Sequence, residues 1–473
     1  MTVIWDHKAA EKATGGKASG PWEATGVSID TRTITPGDLF VALKGPNHDG
    51  HAYLETARDK GAAAAIISDS DKAPEGLPVL TVTNTMGAMI DLAAAARTRM
   101  SGKVIAITGS VGKTGTKEGL ALAFAALGKT HATLGNLNNE IGLPLTMDRI
   151  PADTDYSVLE MGMNHPGEIQ PLSDLARPDV AIITTVQPVH LEFFEGIQGI
   201  ADAKAEIFSG LNKGGYAILP RDHPLFHHMR ERALEAGVAE DRIIGFGTHP
   251  DAHVRLLKCD AIPTGSRATA VMDGETRVYE IGMPGEHWAI NSLAILAAVR
   301  YLGGDLDKAV EALKDWRPGK GRGCRHQISL PQGGSFTLID ESYNASPPAM
   351  RAAFDVLAHV KPHPGGRRVA ILGDMLELGD SAPSLHAALA SSIEENSIDM
   401  VFTAGPNMAH LNKVLERGRK ANHAADSAAL IGPVVSYIGA GDVVLVKGSL
   451  GMRMAAIVNA LNALDKKGAR DAV

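Results

Sequence analysis

The sequence has few cysteines, no long apolar run and no excess of basic residues. Its 473 residues include two cysteines, Cys259 and Cys324, which excludes a disulfide framework and a CxxC metal site. No apolar run reaches the roughly 18 residues that a membrane span requires, and the first residues lack the apolar core of a signal peptide. We therefore expect a soluble, cytoplasmic protein without a membrane span, whose fold depends on packing alone.

The charge balance is slightly acidic. The 46 Lys and Arg residues against 54 Asp and Glu residues give a formal net charge of −8, and no basic stripe is present. This argues against nucleic acid or an anionic membrane as the main partner. Hydrophobic residues make up 44% and charged residues 21%, as in ordinary globular proteins. At roughly 150 residues per domain, the length predicts about three domains.

Strand and helix patterns alternate along most of the chain and predict an α/β fold of three domains. A small N-terminal α/β domain over 1–100 ends near Ser101-Gly102. A central domain over 101–318 has mostly parallel strands, including one over 180–186, and antiparallel strands over 253–283. A Gly-rich basic linker at 317–323 precedes a second parallel, Rossmann-like α/β domain over 319–473.

A phosphate-binding loop is predicted at the start of the central domain. The strand 104–108 runs into Gly-Ser-Val-Gly-Lys-Thr and then into a helix. Backbone amides of such a loop can face a polyphosphate, Lys113 can reach its outer phosphates, and the Thr114 hydroxyl can ligate Mg²⁺. Ile107 stands where the full P-loop pattern has its first glycine, so an ordinary glycine turn is the alternative. The predicted nucleotide contacts are Thr108, Gly109, Ser110, Val111, Gly112, Lys113 and Thr114.

Two polar residues follow apolar strands at their carboxyl ends, where α/β folds present ligands. Glu160 ends one strand, and a carboxylate beside a phosphate loop can bind Mg²⁺ or orient a water molecule. His190 follows the strand over 180–186. The alternatives are a solvated strand-end glutamate and a hydrogen-bonded structural histidine.

Lys204 interrupts an apolar helical stripe. The stripe consists of Ile197, Ile200, Lys204, Phe208 and Leu211. Either the lysine extends to solvent past Ile207 or pairs with Glu206 or Asp202, or burial lowers its pKa and the neutral amine takes up CO₂ to form a carbamate. Such a carbamate would be an anionic ligand for Mg²⁺.

Several motifs in order resemble the Mur ligases. They are TGSVGKTGTK at 108–117, GNLNNEIGLP at 135–144, LEMG at 159–162, SIDTR at 28–32, GDLF at 37–40, DGH at 49–51, DESYN at 340–344 and LGDMLELG at 372–379. The resemblance extends from about residue 25 to 455. The DNPR segment expected of the member that adds a diamino acid is absent from the sequence.

The resemblance implies an ATP-dependent peptide ligase of peptidoglycan precursor synthesis. It implies that UDP-N-acetylmuramoyl-tripeptide is activated as an acyl phosphate, with ATP bound between the second and third domains, and is then joined to D-alanyl-D-alanine. Two Mg²⁺ ions and a catalytic set of Lys113, Glu160, His190 and Lys204 are implied, with Thr114, Glu160, His190 and the CO₂-derived carbamate of Lys204 at the metals. We expect a monomer.

The resemblance also assigns contacts outside the loop. It assigns nucleotide contacts to Asn291, Arg322 and Asp340, for which the alternatives include a linker salt bridge at Arg322 and a helix-capping acid at Asp340. The implied substrate contacts are Ser28, Asp30, Arg32, Lys44, Asp49, His51 and Lys447.

The sequence departs from the family pattern at two places. Trp288 replaces the first asparagine of an H-N-x-x-N pattern, so that the indole either stacks on the purine or packs in the core, and we favour packing. Leu450-Gly-Met-Arg453 departs from the commoner SRxxxME, which leaves Arg453 without a secure role. Alternative functions are another member of the superfamily such as a folylpolyglutamate synthase, a P-loop small-molecule kinase, and a nucleotide-gated binding protein.

Overall fold

The computed structural model describes residues 2–188 and 191–465. The chain divides into two compact units. The first is built from the residues up to 186 together with 198–316, and the second from the segment 187–197 together with the chain from 317 onward. Within the described residues, no helix combines the length and the apolarity needed to cross a bilayer.

The first unit begins with a small five-stranded sheet of order β2-β7-β6-β5-β4, in which β4 to β7 are parallel and β2 is antiparallel. All residues of β5 and β6 are buried, as is typical of parallel strands covered on both faces. The elements are β1 (Trp5–Asp6), α1 (His7–Thr14), β2 (Lys17–Ala18), β3 (Glu23–Ala24), β4 (Gly26–Ser28), β5 (Asp38–Val41), α2 (Leu54–Asp59), β6 (Ala64–Ile67), β7 (Val79–Thr81) and α3 (Thr85–Arg99).

The same unit contains a nine-stranded sheet of order β16-β15-β14-β13-β12-β11-β8-β10-β9. The strands are β8 (Lys103–Thr108), β9 (Thr130–Ala132), β10 (Tyr156–Glu160), β11 (Val180–Ile183), β12 (Tyr216–Pro220), β13 (Ile243–Gly247), β14 (Val254–Ile262), β15 (Gly265–Met272) and β16 (Glu275–Ile281). The strands from β8 to β14 pair in parallel, and β14 to β16 are antiparallel as predicted. The strand predicted over 180–186 ends earlier, at Ile183.

Helices connect and cover this sheet. They are α4 (Lys113–Ala125), α5 (Gly142–Asp148), α6 (Ile169–Ala176), α7 (Gly196–Ala205), α8 (Phe226–Glu235), α9 (Glu286–Tyr301) and α10 (Leu306–Leu313). The run Ser292 to Val299 of α9 is entirely buried, and α4 and α10 pack against this helix. The centre of the sheet, where β8 lies between β10 and β11, is a point at which the strand order reverses, so the loops after these strands form a crevice.

The second unit is a six-stranded sheet of order β17-β18-β22-β19-β20-β21, parallel except for β17 at the edge. Its strands are β17 (Cys324–Ser329), β18 (Ser335–Glu341), β19 (Arg368–Gly373), β20 (Met400–Ala404), β21 (Lys420–Ala424) and β22 (Val443–Lys447). Its helices are α11 (Pro347–His359), α12 (Ala382–Ala387), α13 (Leu389–Glu395), α14 (Met408–Val414), α15 (Ser427–Tyr437) and α16 (Ala455–Asn462). Separate apolar clusters cover the two faces, which confirms the Rossmann-like prediction.

The five-stranded sheet and a two-stranded β1–β3 sheet fall within 1–100, the nine-stranded sheet within 101–318 and the six-stranded sheet within 319–473. The α/β class with three parts is confirmed, while the boundaries themselves stay predictions. One segment crosses these ranges. Leu145 of α5 belongs to the apolar core of the N-terminal sheet, and Leu137 and Ile141 pack against that core. The N-terminal core is therefore completed by side chains from beyond residue 100.

Candidate active site

The loop between β8 and α4 has the backbone shape of a phosphate cradle. Gly109 and Gly112 have φ values of 145° and 84°, which a residue with a side chain adopts only with strain. A Cβ at Gly109 would also lie 1.9 Å from Thr184 Oγ1. Gly112 caps α4 without a side-chain hydrogen bond, so the first amides of the helix remain available to an anion.

The residues that follow β11 fix this loop in place. The Ser110 amide donates to the Thr185 carbonyl at 2.8 Å, and the Thr184 amide donates to the Thr108 carbonyl at 3.0 Å. The Thr184 hydroxyl donates to the Val111 carbonyl at 2.7 Å. Three hydrogen bonds therefore join the loop to the segment that follows β11.

The Lys-Thr pair that begins α4 points to the same region. Lys113 Nζ donates to the Gly109 carbonyl at 2.5 Å, which folds the side chain back over the loop. The Thr114 hydroxyl donates to Glu160 Oε1 at 3.1 Å. The structure thus brings the predicted loop residues and the predicted strand-end carboxylate together.

Glu160 is 1% exposed, so the alternative of a solvated strand-end glutamate is wrong. Its Oε1 atom also accepts from Asn138 Nδ2 at 2.7 Å, while Oε2 is buried with no hydrogen-bond partner among the described residues. A buried oxygen of this kind has lost water without compensation, and a bound cation would supply the missing partner.

The donor set fits Mg²⁺ better than a metal held only by protein. Among the described residues, no group of three or more His, Cys, Asp and Glu side chains could hold an ion. Mg²⁺ is usually bound by one or two carboxylates together with phosphate oxygens and water. Glu160 Oε2 and the Thr114 hydroxyl meet that requirement.

Lys204 lies on α7 and is 2% exposed, so its side chain does not extend to solvent. Among the described residues it has no hydrogen bond or ion pair, and burial lowers the pKa of its amine well below the ordinary value, with the charge of Lys113 adding to the effect. The predicted desolvation is confirmed. Burial therefore shifts this amine toward its neutral form.

The two acids considered as partners of Lys204 are occupied elsewhere. Asp202 accepts from His228 and Arg232, each at 2.7 Å. Glu206 accepts from the Gly167 amide at 2.7 Å and from two further amides at the start of α6. The salt-bridge alternative for Lys204 is therefore wrong.

His190 lies outside the described residues. The chain that leads to it is held at Val186, whose carbonyl accepts a hydrogen bond from His223 Nε2 at 2.7 Å. Burial lowers the pKa of His223, which favours the neutral ring that donates this bond.

Asn291 lies against the phosphate loop, because a Cβ at Gly112 would be 2.8 Å from its Nδ2 atom. Trp288 contacts α4 instead. A Cβ atom at Gly115 would lie 2.1 Å from its ring, so the ring packs directly on this glycine. The ring also makes an edge contact with Trp316, with 5.3 Å between the ring centres. The structure supports the packing interpretation of Trp288.

Two groups of predicted substrate residues form separate networks around the N-terminal sheet. In the turn after β4, the buried Ser28 hydroxyl donates to the Asp30 carbonyl at 3.1 Å, and Arg32 pairs with the Asp30 carboxylate at 2.7 Å. The Arg32 side chain is 88% exposed, so most of its surface is available to a ligand. The carboxylate and guanidinium are therefore already ordered as a pair at the surface.

The second network centres on His51. The Ser68 amide donates to His51 Nε2 at 2.9 Å, which places the ring proton on Nδ1, and Nδ1 then donates to Asp49 at 2.6 Å. Lys72 donates to the other Asp49 oxygen at 2.9 Å, and hydrogen bonds from Lys72 and then His51 hold the pKa of Asp49 well below its ordinary value. Lys44 forms a backbone bridge with Asp49. His51 is thus buried and links Asp49 to Ser68.

In the second unit, Asp340 organises the linker. Its carboxylate accepts from the Gly321 amide at 3.1 Å and from the Ser342 amide and hydroxyl at 3.1 and 2.6 Å. It does not cap a helix, so that alternative is wrong. The Arg322 guanidinium lies 3.9 Å from the centre of the Tyr343 ring, which is a cation–π contact.

Lys447 ends β22 and is buried. Its Nζ donates to Glu341 Oε2 and to the Asn344 carbonyl, each at 3.0 Å. Arg453 has a φ of 53°, and its amide donates to the Leu450 carbonyl at 3.0 Å. Lys447 therefore holds the DESYN segment that follows β18.

Sequence reasoning missed four residues that support the site. They are Thr133, whose hydroxyl accepts from the Glu160 amide at 3.0 Å, Asn138, Thr184 and the buried Lys117, which donates to the Thr133 carbonyl at 2.7 Å. Asn138 and Lys117 lie inside motifs already quoted, GNLNNEIGLP and TGSVGKTGTK. Their place inside these motifs could have identified Asn138 and Lys117 from the sequence, whereas no local pattern distinguishes Thr133 or Thr184.

A strand, a glycine-rich loop that begins a helix, and a Lys-Thr pair facing a buried carboxylate define a P-loop α/β protein. Three family profiles match this chain in order: "Mur ligase family, catalytic domain" over 23–99, "Mur ligase middle domain" over 107–299 and "Mur ligase, glutamate ligase domain" over 325–450.

Similar proteins cover nearly the whole chain. The UDP-N-acetylmuramoyl-tripeptide–D-alanyl-D-alanine ligase of Bacillus subtilis is 35% identical, covering 96% of this chain and 97% of that protein. The ligase of the same name from Escherichia coli is 35% identical, covering 92% of this chain and 93% of that protein. The crystal structure of MurF from Acinetobacter baumannii superimposes with a TM-score of 0.83 at 28% identity, covering 97% and 99%. The structure of MurF ligase from Thermotoga maritima in complex with ADP superimposes with a TM-score of 0.76 at 25% identity. The match covers 94% of this chain and 98% of that chain.

The chain belongs to the Mur ligase family. This confirms the resemblance that the motifs indicated, and the structural neighbours confirm the three-domain α/β class.

Proposed function

We propose that this protein is an ATP-dependent amide ligase that joins D-alanyl-D-alanine to UDP-N-acetylmuramoyl-tripeptide in peptidoglycan precursor synthesis. The observation that carries the proposal is the buried, unpartnered Oε2 atom of Glu160 beside the Thr114 hydroxyl and the phosphate loop. Relatives that bear this activity in their names match the chain over almost its full length.

The loop from Thr108 to Thr114 would hold the phosphates of ATP, with Lys113 moving from the Gly109 carbonyl to the β and γ phosphates. Thr114 and Glu160 would hold one Mg²⁺, and His190 with Lys204 a second. Bound Mg²⁺ neutralises phosphate charge and makes the γ-phosphoryl group more electrophilic. Thr184 and Asn138 keep the loop and the carboxylate in place.

The reaction then proceeds in two balanced steps. A carboxylate oxygen of the tripeptide attacks the γ-phosphorus and ADP leaves, with Lys113 compensating the developing charge. The amine of the dipeptide attacks the acyl carbon, phosphate departs with that carboxylate oxygen, and the amine loses a proton as the amide forms. The cradle contributes by positioning the γ-phosphoryl group in line with the carboxylate.

Lys204 would carry a CO₂-derived carbamate. Its amine is buried, has no hydrogen bond or ion pair among the described residues, and is shifted toward the neutral form that reacts with CO₂. The reaction of the neutral amine with CO₂ releases a proton and leaves a carbamate, an anion able to ligate Mg²⁺. Protein equilibrated with ¹³CO₂ should show a carbamate carbon by NMR that disappears in Lys204→Met. Identical spectra for the two proteins would exclude the carbamate.

The remaining site residues have proposed roles by unit. The N-terminal domain, residues 1–100, would bind the UDP group through Ser28, Asp30, Arg32, Lys44, Asp49 and His51. The central domain, 101–318, would add Asn291 as a nucleotide contact. In the domain over 319–473, Arg322 and Asp340 would contact the nucleotide and Lys447 would lie near the substrate. We propose a cytoplasmic monomer.

The decisive experiment traces a carboxylate oxygen of the tripeptide into the released phosphate. With the tripeptide carboxylate labelled in oxygen-18, the released phosphate should carry one label per amide formed. Phosphate release should need both UDP-N-acetylmuramoyl-tripeptide and D-alanyl-D-alanine. A kinase would leave the γ-phosphoryl group on a stable product, and a nucleotide-gated ATPase would take oxygen from water. Unlabelled phosphate, or ATP consumption that ignores the dipeptide, would refute the ligase.

A further inference from the structure

A single segment of the first unit contacts both the carboxylate of the phosphate site and the N-terminal sheet. At one end, Asn138 donates to Glu160 from its side chain, and its carbonyl accepts from the Gly162 amide at 2.8 Å. The segment continues as α5 and inserts Leu145 into the N-terminal core. At its other end stands Arg149, a half-buried residue outside all the proposed contacts.

Arg149 binds the strand that leads into the proposed substrate turn. Its Nε atom donates to the Val27 carbonyl at 2.7 Å, one residue before Ser28. The charges of Asp38, at the start of β5, and of Asp148 both act on the guanidinium. Arg149 thus holds β4 from the side of α5.

The turn after β4 has internal bonds that depend on where β4 ends. The Asp30 amide donates to Ser28 Oγ at 3.3 Å, the Arg32 amide to the Asp30 carboxylate at 2.9 Å, and the Thr33 amide to the Asp30 carbonyl at 3.1 Å. Because Ser28 is the last residue of β4, a shift of Val27 displaces the first partner in this series.

We propose that Arg149 is a positioning residue that sets the Ser28–Thr33 turn for the UDP-linked substrate. It acts through the Val27 carbonyl and does not contact the substrate. The substrate part of this inference rests on the proposed function, whereas its structural part, the ordering of the turn by Arg149, needs no ligand.

The chain offers a matched control. Arg97 is also half-buried in the first unit, and it donates to the Ala176 and Arg177 carbonyls at 2.7 and 2.9 Å, which lie at the end of α6 and not on β4. Arg149→Met and Arg97→Met each remove one such arginine while keeping an apolar stem. The two variants therefore separate the loss of this turn's anchor from the general loss of a buried arginine.

Hydrogen exchange of the full-length variants tests the structural part. Amides of Asp30, Arg32 and Thr33 should exchange at least tenfold faster in Arg149→Met than in wild type, and at the wild-type rate in Arg97→Met. Equal rates at these amides in both variants would overturn the inference. If Arg149→Met does not fold, Arg149→Lys, which keeps the charge beside Asp38 and Asp148, is compared in the same way.

Calorimetric titration tests the substrate part. UDP-N-acetylmuramoyl-tripeptide should bind about tenfold more weakly to Arg149→Met, and ATP with unchanged affinity, because the phosphate loop is not touched. Equal weakening of both ligands would mean that α5 itself has moved, which contradicts the proposal. If wild type binds the UDP ligand but turnover ignores D-alanyl-D-alanine, the proposed function fails while Arg149 keeps its role.

Discussion

Buried polar side chains near the strand ends differ between the two units in whether they have hydrogen-bond partners. Around the phosphate loop, Glu160 Oε2 and the Thr108 and Thr116 hydroxyls are buried without partners among the described residues. At the strand ends of the second unit, Asp340 and Lys447 are buried but bond to neighbouring chain segments. Unpaired buried groups cost stability and are retained where a ligand completes them. Near these strand ends the first unit thus leaves buried oxygens without a partner, whereas the second unit uses its buried charges to hold its own loops.

The strongest test of this contrast is Lys113→Ala. Loss of the cation at the phosphate loop should lower kcat by about 100- to 1,000-fold, because its charge is needed as the γ-phosphoryl group is transferred. Affinity for UDP-N-acetylmuramoyl-tripeptide, measured by calorimetry, should stay within twofold. Loss of both in a folded variant would show that the two sites are not separate.

Two buried lysines sharpen the contrast within one unit. Lys204 has no hydrogen bond or ion pair among the described residues, whereas Lys117 donates to the Thr133 carbonyl and pairs with Glu118. Lys204→Met should abolish turnover yet raise the free energy of unfolding by about 1–2 kcal/mol in CO₂-free buffer. Lys117→Met should lower it by about 1–3 kcal/mol, because the Thr133 carbonyl loses its partner. Denaturant unfolding measures both free energies. A change of the same sign in the two variants would contradict the contrast between the two lysines.

Asp340 tests the second unit. Asp340→Ala leaves the Gly321 and Ser342 amides without their acceptor and should lower the stability of this unit by about 1–3 kcal/mol. Differential scanning calorimetry measures the loss, with the exposed Asp380→Ala as the control. An unchanged unfolding temperature would show that Asp340 does not hold the linker, whereas a raised KM for ATP beside the loss of stability would support its proposed nucleotide contact.

Trp288 lies where the first unit's site meets its core. Trp288→Ala should lower stability by about 2–3 kcal/mol, because the ring packs on Gly115 and Trp316. The KM for ATP should stay within twofold. A tenfold rise in that KM at unchanged stability would instead indicate stacking on the purine.

The smallest expected effect concerns a buried acid away from both strand ends. Asp148 has no hydrogen-bond partner for its carboxylate oxygens among the described residues, and burial raises its pKa well above the ordinary 3.8, opposed by Arg99 and Arg149. Folding therefore takes up a proton, so this group lowers stability increasingly as the pH rises above about 4. Asp148→Asn carries no such penalty. Its free energy of unfolding should exceed that of wild type by about 1 kcal/mol, and this excess should be larger at pH 8 than at pH 5. A pH-independent difference in denaturant unfolding would refute the assignment.

Local pattern predicted most of the fold, because buried parallel strands and crossover helices leave periodic apolar signals. The loop and Glu160 were predictable for the same reason, since each follows such a strand directly. The strand predicted to Val186 ends at Ile183, because Thr184 and Thr185 turn to bond the phosphate loop. Thr184, Asn138 and Arg149 act through contacts between residues distant in sequence, and no local pattern encodes these. Arg322, Asp340 and the N-terminal contacts came from motif resemblance alone, and their ligand roles stay predictions.

The insertion of Leu145 into the N-terminal core has a consequence for synthesis on the ribosome. The first hundred residues emerge with an apolar surface that their own side chains do not cover, and Leu137, Ile141 and Leu145 close it only later. At ordinary elongation rates of about 5–20 residues per second, this surface stays open for on the order of several seconds. The nascent N-terminal domain therefore keeps part of its apolar core exposed to solvent until α5 has been synthesised.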